Sequence, residues 1–228
     1  MSGAPERLDP ARAQDFILAN TAVLAVPHVP EIRLHIADEA HDLWLKTEDE
    51  LAAIGLPPPF WAFAWAGGQG LARFVLDHPD MVAGRRVLDF ASGSGVVAVA
   101  AAKVGAARVV AVDIDPFAAP ALRLNAALNG VSIEARIADL VGVPAGEVGA
   151  DVLLAGDVFF DRMFADRLVP WFDALSSAEM TILVGDPGRA YLPRDRLTRQ
   201  ATYRVPVTRA LEDAEIKETT VWRWMVGR

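Results

Sequence analysis

Four aspartates stand at or near the ends of apolar runs: Asp89 in RRVLDFA, Asp113 in ARVVAVDID, Asp139 in SIEARIAD and Asp157 in DVLLAGDVFFD. Burying an unpaired charge is costly, so carboxylates in these positions read as strand tips rather than core. Gly93 and Gly95 follow the first run, in DFASGSGVVA (89–98). Glycines there let backbone N–H groups approach a ligand at the positive start of a helix. Gly93 to Ala98 also fits the loose nucleotide spacing G-x-G-x-x-A. Asp113 falls where an acidic side chain can accept ribose hydroxyls, and Asp139 where a carboxylate can meet an adenine amino group. Small residues are also common at ordinary strand–helix turns, so the spacing alone is a weak signal.

The charge around this turn narrows the ligand. A pyrophosphate needs nearby cations, yet no Lys or Arg lies between 87 and 102, and Asp89 stands just before the loop. That suits a nucleoside carrying positive charge, such as the sulfonium and ammonium of S-adenosylmethionine. The run 151–161 adds a carboxylate and two phenylalanines, Asp157, Phe159 and Phe160, at the tip of a buried strand. Asp161 fits a helix cap.

These residues must be positioned by alternating strands and helices. Strands are predicted at 85–91, 107–115, 132–139, 151–157 and 180–186, and helices at 94–105, 116–130 and 161–175. Such alternation implies a parallel sheet covered on both faces. Two late strands, 201–207 and 219–226, have no full helix between them and should pair antiparallel at a sheet edge. Upstream, the pattern predicts a helix over 9–24, a half-buried strand over 31–37, a Pro-rich break at 55–60 and a helix from about Gly68. Residues 1–59 read as an N-terminal α/β extension or lid, and 60–228 as the main domain.

Bulk properties exclude several classes. The chain has 228 residues, a net charge of −8 and no cysteine, which removes disulfides, thiolate metal sites and a Cys nucleophile. The four histidines show no ligand spacing, so no metal site is expected. The acidic balance opposes extended nucleic-acid binding. No apolar stretch reaches the roughly 20 residues of a membrane helix, and the first residues lack a signal peptide's apolar core. The expectation is a cytoplasmic, monomeric protein. The charge is uneven: residues 186–228 carry +3 and the remainder −11, which reads as a solvated Arg-rich stretch or as a basic rim for an acidic protein partner.

FWAFAWAGGQGLARF (60–74), VLDFASGSGVVAVAAAKVGAARVVAVDIDP (87–116), GDVFFDRMFADRL (156–168), VGDPGRAYLP (184–193) and TVWRW (220–224) resemble the electron transfer flavoprotein beta-subunit lysine methyltransferases. These belong to the seven-stranded class I methyltransferases. The resemblance implies a Rossmann-like sheet of order 3-2-1-4-5-7-6 with the last strand antiparallel. It implies S-adenosylmethionine as methyl donor and the flavoprotein beta subunit as partner. It places Trp65 and Gln69 beside the methionine end of the cofactor, with Asp89, Ala91, Ser92, Gly93, Gly95, Asp113 and Asp139 as the remaining cofactor residues. Ala91 or Ser92 stands where the turn usually has its first glycine.

Asp157 and Phe160 are the catalytic candidates. An aspartate beside an amine favours its charged form, so Asp157 is assigned mainly to orienting the lysine. Phe159 or Phe160, with Trp65, could hold cationic groups by cation–π contact. Asp186 and Arg189 read as a substrate rim or as a simple turn. A ribosomal protein or a small amine is the alternative substrate. A nicotinamide oxidoreductase and a non-catalytic nucleoside-binding module are weaker readings, the first because none of the three lysines is suitably placed.

Overall fold

The computed structural model describes residues 10–38, 58–207 and 214–225. The chain opens with helix α1 (Pro10–Asn20) and an antiparallel hairpin, β1 (Ala22–Val26) and β2 (Val29–Ile36). A 3₁₀ turn (Phe60–Ala62) leads into α2 (Ala66–Asp77). Then come β3 (Arg86–Phe90), α3 (Val96–Lys103), β4 (Arg108–Asp113), α4 (Ala118–Leu128), β5 (Glu134–Ile137), α5 (Ala145–Val148), β6 (Val152–Gly156), α6 (Arg162–Ser177), β7 (Thr181–Asp186), β8 (Leu197–Pro206) and β9 (Ile216–Trp224).

The main sheet has seven strands in the order β5-β4-β3-β6-β7-β9-β8. Numbered from β3, that is the expected 3-2-1-4-5-7-6. β3 to β7 pair in parallel, while β9 runs antiparallel to both neighbours. The central strands lack polar alternation because helices bury both faces. Val152, Leu153, Leu154 and Ala155 of β6 have no exposed surface. One face packs under α2 and α3 through Leu71, Val75, Val97 and Leu154, and the other under α6 through Leu168, Phe172 and Trp224.

The N-terminal hairpin joins the first core. Val26, Val29, Ile32 and Leu34 lie in the same apolar cluster as Leu71 and Val97. Buried amides bolt it down. Asn125 of α4 accepts from His35 N at 2.7 Å and donates to Ser94 O at 2.9 Å. Gln69 of α2 accepts from His28 N at 3.1 Å and donates to Ala64 O at 2.7 Å.

Three local expectations change. The helix read over 9–24 ends at Asn20, and 22–26 is a strand. The side chains of Asn20 and Thr21 donate back to Phe16 O and Ile17 O, closing the helix before an apolar run that no breaker separates from it. β8 begins at Leu197, before the expected 201, and the short α5 was not anticipated. Half of the Pro-rich break, 55–57, and much of the proposed lid lie outside the described residues.

Candidate active site

α2 begins directly against the carboxyl tips of β6 and β7. A Cβ on Gly67 would stand 2.3 Å from Gly185 O and 2.5 Å from Asp157 Oδ2, and one on Gly156 would stand 2.8 Å from the Gly68 backbone. Gly156 and Gly185 are register partners. Only glycines permit this backbone-on-backbone contact. It explains why GGQ, GDVFFD and GDPGR occur together: the three stretches meet at one place.

The contact delivers Asp157. Its backbone sits at φ 58, a left-handed conformation rare outside glycine, and its N–H donates to Gly185 O at 2.9 Å. Asp157 Oδ2 accepts from Gly68 N at 3.1 Å, at the positive start of α2. Asp157 Oδ1 accepts from Arg189 Nε at 3.0 Å and Nη2 at 2.6 Å. Both side chains are largely buried, 10% exposed for Asp157 and 22% for Arg189. Asp186 braces the cation: its Oδ1 accepts from Gly188 N at 2.6 Å and Arg189 N at 2.7 Å. Burial pushes the Asp186 carboxyl above its usual range. The sequence reading offered Asp186 and Arg189 as rim or turn; in the structure they form the turn that sets Arg189 on Asp157.

The glycine turn lies across the top of β3 and β4. Ala91, Gly93 and Gly95 all have positive φ, at 52, 50 and 78. Of Ala91 and Ser92, it is therefore Ala91 that takes the conformation glycine favours. Asp89 is 1% exposed, inside the sheet rather than at its mouth. Its Oδ2 accepts from Ala98 N at 3.0 Å and so secures the first turn of α3. Burial pushes its carboxyl well above the usual range, with the Asp113 charge adding to the effect. Asp113 Oδ2 accepts from Gly93 N at 2.8 Å, and its Oδ1 accepts from Asp115 N at 3.0 Å. Asp115 is raised to about 6, first by burial and then by the Asp113 charge.

Two expected residues are engaged by partners within the protein. Gln69 is 2% exposed, with both ends of its amide bonded to Ala64 and His28; it anchors α2 to the hairpin. Asp139 is exposed, lies past the end of β5 and pairs with Arg167 of α6 at 2.8 Å. That ion pair holds its carboxyl below the usual range.

An aromatic rim borders the tips. Phe160 is 50% exposed and Phe60 44%, with ring centroids 5.7 Å apart. Trp65 is half-buried, meets the Phe60 ring edge-on at 5.8 Å and donates from Nε1 to Phe60 O at 3.0 Å. Phe60 O also lies 3.4 Å from where a Cβ on Gly93 would stand. Phe60 thus spans from the glycine turn to the Asp157 strand tip. The sequence reading missed it, because an aromatic at the end of a proline run carries no spacing signal. Phe159 is fully buried and stacks on Trp224, so of the two phenylalanines only Phe160 reaches the rim. Asp161 caps α6, accepting from Phe164 N at 2.8 Å. Among the described residues no His/Asp/Glu cluster could hold a metal, and no helix is long and apolar enough to cross a membrane.

The sheet order with its antiparallel β9, and a glycine turn between β3 and α3, define a class I methyltransferase. A solved structure, SMU.776 complexed with SAH, aligns with 70% of this chain and 50% of its own at a TM-score of 0.50 and 12% identity; it supports the fold alone. The family model for ribosomal protein L11 methyltransferase (PrmA) matches residues 74–158. The chain is 38% identical to the electron transfer flavoprotein beta subunit lysine methyltransferase of Xenopus laevis over 224 residues, covering 96% of this chain and 89% of that protein. Identity to the protein of the same name from Danio rerio is 36% over 218 residues, covering 92% and 83%. The chain belongs to the electron transfer flavoprotein beta subunit lysine methyltransferase family.

Proposed function

We propose that this protein transfers methyl groups from S-adenosylmethionine to a lysine side chain on the beta subunit of electron transfer flavoprotein. The observation that carries the proposal is kinship, across more than nine-tenths of this chain, to relatives named for that substrate. The family model behind the ribosomal-protein reading matches 74–158, which holds the glycine turn and Asp157 but neither the Phe60–Trp65 stretch nor Arg189.

The residues suit the cofactor. Ser92 Oγ is buried within the turn without a partner among the described residues. Ile114 and Ile137, beside Asp113 and near Asp139, leave apolar side chains 72% and 52% exposed, as a planar base would require. Asp113 and the Ala91–Gly95 turn would hold the nucleoside, Asp89 would support that turn from below, and Trp65 would border the methionine end. When bound, S-adenosylmethionine supplies an electrophilic methyl group on a cationic sulfur.

The chain's own work is to bring in a lysine, strip it of water and aim it. The lysine's aliphatic stem can lie on Phe60, Phe160 and Trp65 while its nitrogen meets Asp157. Asp157 is fixed from two sides, so an N–H given to it leaves the nitrogen's orientation determined. The rim then shields the reacting atoms from solvent.

Recombinant flavoprotein, purified enzyme and S-adenosylmethionine should give mass increments of whole methyl groups on the beta subunit, abolished by Lys→Arg at the modified site. Asp157→Asn should lower the rate by a factor on the order of 10²–10⁴, the range of a positioned proton-handling group, with S-adenosylhomocysteine binding nearly unchanged. An unmodified beta subunit beside a methylated ribosomal protein in the same extract would reverse the order of the two readings.

A further inference from the structure

A carboxylate beside a methyl acceptor poses a difficulty. Lysine has a solution pKa of about 10.4, and a lone carboxylate at the amine stabilises the ammonium further. An ammonium has no lone pair and cannot attack. The carboxylate that orients the nitrogen would therefore also hold it in its inert form.

Arg189 removes the difficulty. Its guanidinium lies on Asp157 Oδ1 through two N–H groups, at 3.0 and 2.6 Å, with both partners largely buried. The Arg189 backbone is fixed by Asp186, which is 1% exposed. We infer that Arg189 is a positioning residue for the methyl acceptor: by neutralising Asp157 it lets the carboxylate orient the incoming amine without holding it as ammonium. This rests on the lysine-methylation reading above.

The charges around the pair are consistent with the role. Asp186 and Arg189 come from the turn after β7, and Arg194 Nη2 lies 3.8 Å from where a Cβ on Gly188 would stand. From α2 the pair meets the helix start through Gly68 N–H, with no acidic residue in that first turn. At the start of α6, Asp161 is bonded to Phe164 N–H and Arg162 is exposed. The Arg189 guanidinium on Asp157 Oδ1 and the positive helix start both disfavour an ammonium, and the exposed aromatic rim adds desolvation. The proton leaves for solvent before the nitrogen attacks. Arginine suits this place better than lysine, since its fork holds the carboxylate through two N–H groups and it does not titrate.

The test is the pH dependence of methyl transfer to the recombinant beta subunit by wild-type enzyme, Arg189→Gln, Arg189→Met and Arg189→Lys. Both neutral variants should move the acidic limb of kcat upward by about one pH unit or more, the scale of a single nearby charge, and approach the wild-type rate at high pH. Arg189→Lys should restore most of the wild-type limb. A second readout needs no turnover: in the dead-end complex with S-adenosylhomocysteine, the NMR titration of the isotopically labelled substrate lysine should shift upward in the neutral variants. A merely structural Arg189 would lower the rate by the same factor at every pH and leave both titrations in place, overturning the inference while wild-type activity stands. A wild type that leaves the beta subunit unmodified would remove the functional reading, and the inference with it.

Discussion

Gly67→Ala tests the contact on which the site is built. In an ordinary helix this change would stabilise, by about 1 kcal/mol. Here the added methyl would stand 2.3 Å from Gly185 O and 2.5 Å from Asp157 Oδ2. Neither atom is the free end of a flexible chain: one is strand backbone, and the other is a carboxylate held by Arg189 and Gly68. Ordinary contact begins near 3.4 Å, so α2 must lift from the sheet by about 1 Å. Overpacking of this kind costs about 1–3 kcal/mol. Weakening the Gly68–Asp157 bond adds to that, because hydrogen bonds to charged groups contribute about 1.5–3 kcal/mol.

The net loss should be about 1–3 kcal/mol. In a chain of this size that lowers Tm by roughly 3–10 °C. The rate should fall more than the stability suggests, by about 10–100-fold at saturating donor, because Asp157 moves with the helix start and a misplacement of about 1 Å has that effect. Thermal unfolding followed by circular dichroism, with methyl transfer measured well below the melting range, separates the two. Gly146→Ala is the control: it lies in α5 with nothing within 4 Å of the added carbon, and should be neutral or slightly stabilising. A Gly67→Ala enzyme that melts and turns over like wild type would show that α2 does not bear on the strand tips.

Ala91→Gly should stabilise the protein by about 0.5–1 kcal/mol, since relief of the left-handed strain exceeds glycine's greater unfolded entropy; an unchanged or lower denaturation midpoint would contradict the φ of 52. Asp113→Ala should weaken S-adenosylhomocysteine binding by about 1.5–3 kcal/mol by calorimetry, and undiminished binding would remove Asp113 from the nucleoside site. Asp115, raised to about 6 against 3.8 for the free group, takes up a proton in the folded chain before it does so in the unfolded one. Wild type should therefore gain stability relative to Asp115→Asn as pH falls from about 6 to 4, and parallel melting curves across that window would refute the shift.

The sheet was legible because each central strand is an unbroken apolar run and each connection is marked by glycine, proline or a cap. Its order was not, since alternation says nothing about which strands lie side by side; that came from the resemblance. Asp113 and Asp157 could be placed at the correct edge of the sheet because a charge ending an apolar run has few other destinations; Asp89, read the same way, instead lies buried within β3, where the Ala98 N–H meets it. Their partners were hidden. Arg189 lies 32 residues beyond Asp157, and only the parallel pairing of β6 with β7 brings the two tips together. Gln69 looked available because its motif sits beside the aromatic stretch, but a side-chain amide goes where hydrogen bonds await it. Those came from Ala64 and from the hairpin's His28, 41 residues away.

Asp157 and Ala91 show the same backbone feature for opposite reasons. Both end a central strand at positive φ, each at roughly 1–2 kcal/mol of strain. At Ala91 no hydrogen bond or ion pair requires a side chain, so glycine would serve as well and relieve the strain. At Asp157 glycine would relieve it equally, but would remove the carboxylate that Gly68 and Arg189 hold. The turn at 157 is what lets one residue give its N–H to Gly185 O while its side chain bridges α2 and the loop after β7. An unstrained residue leaving β6 in extended form could not meet all three partners. The strain at 157 persists because Gly67, Gly68, Gly156 and Gly185 bring those partners within reach, and it falls on the residue that the proposed mechanism gives to the methyl acceptor.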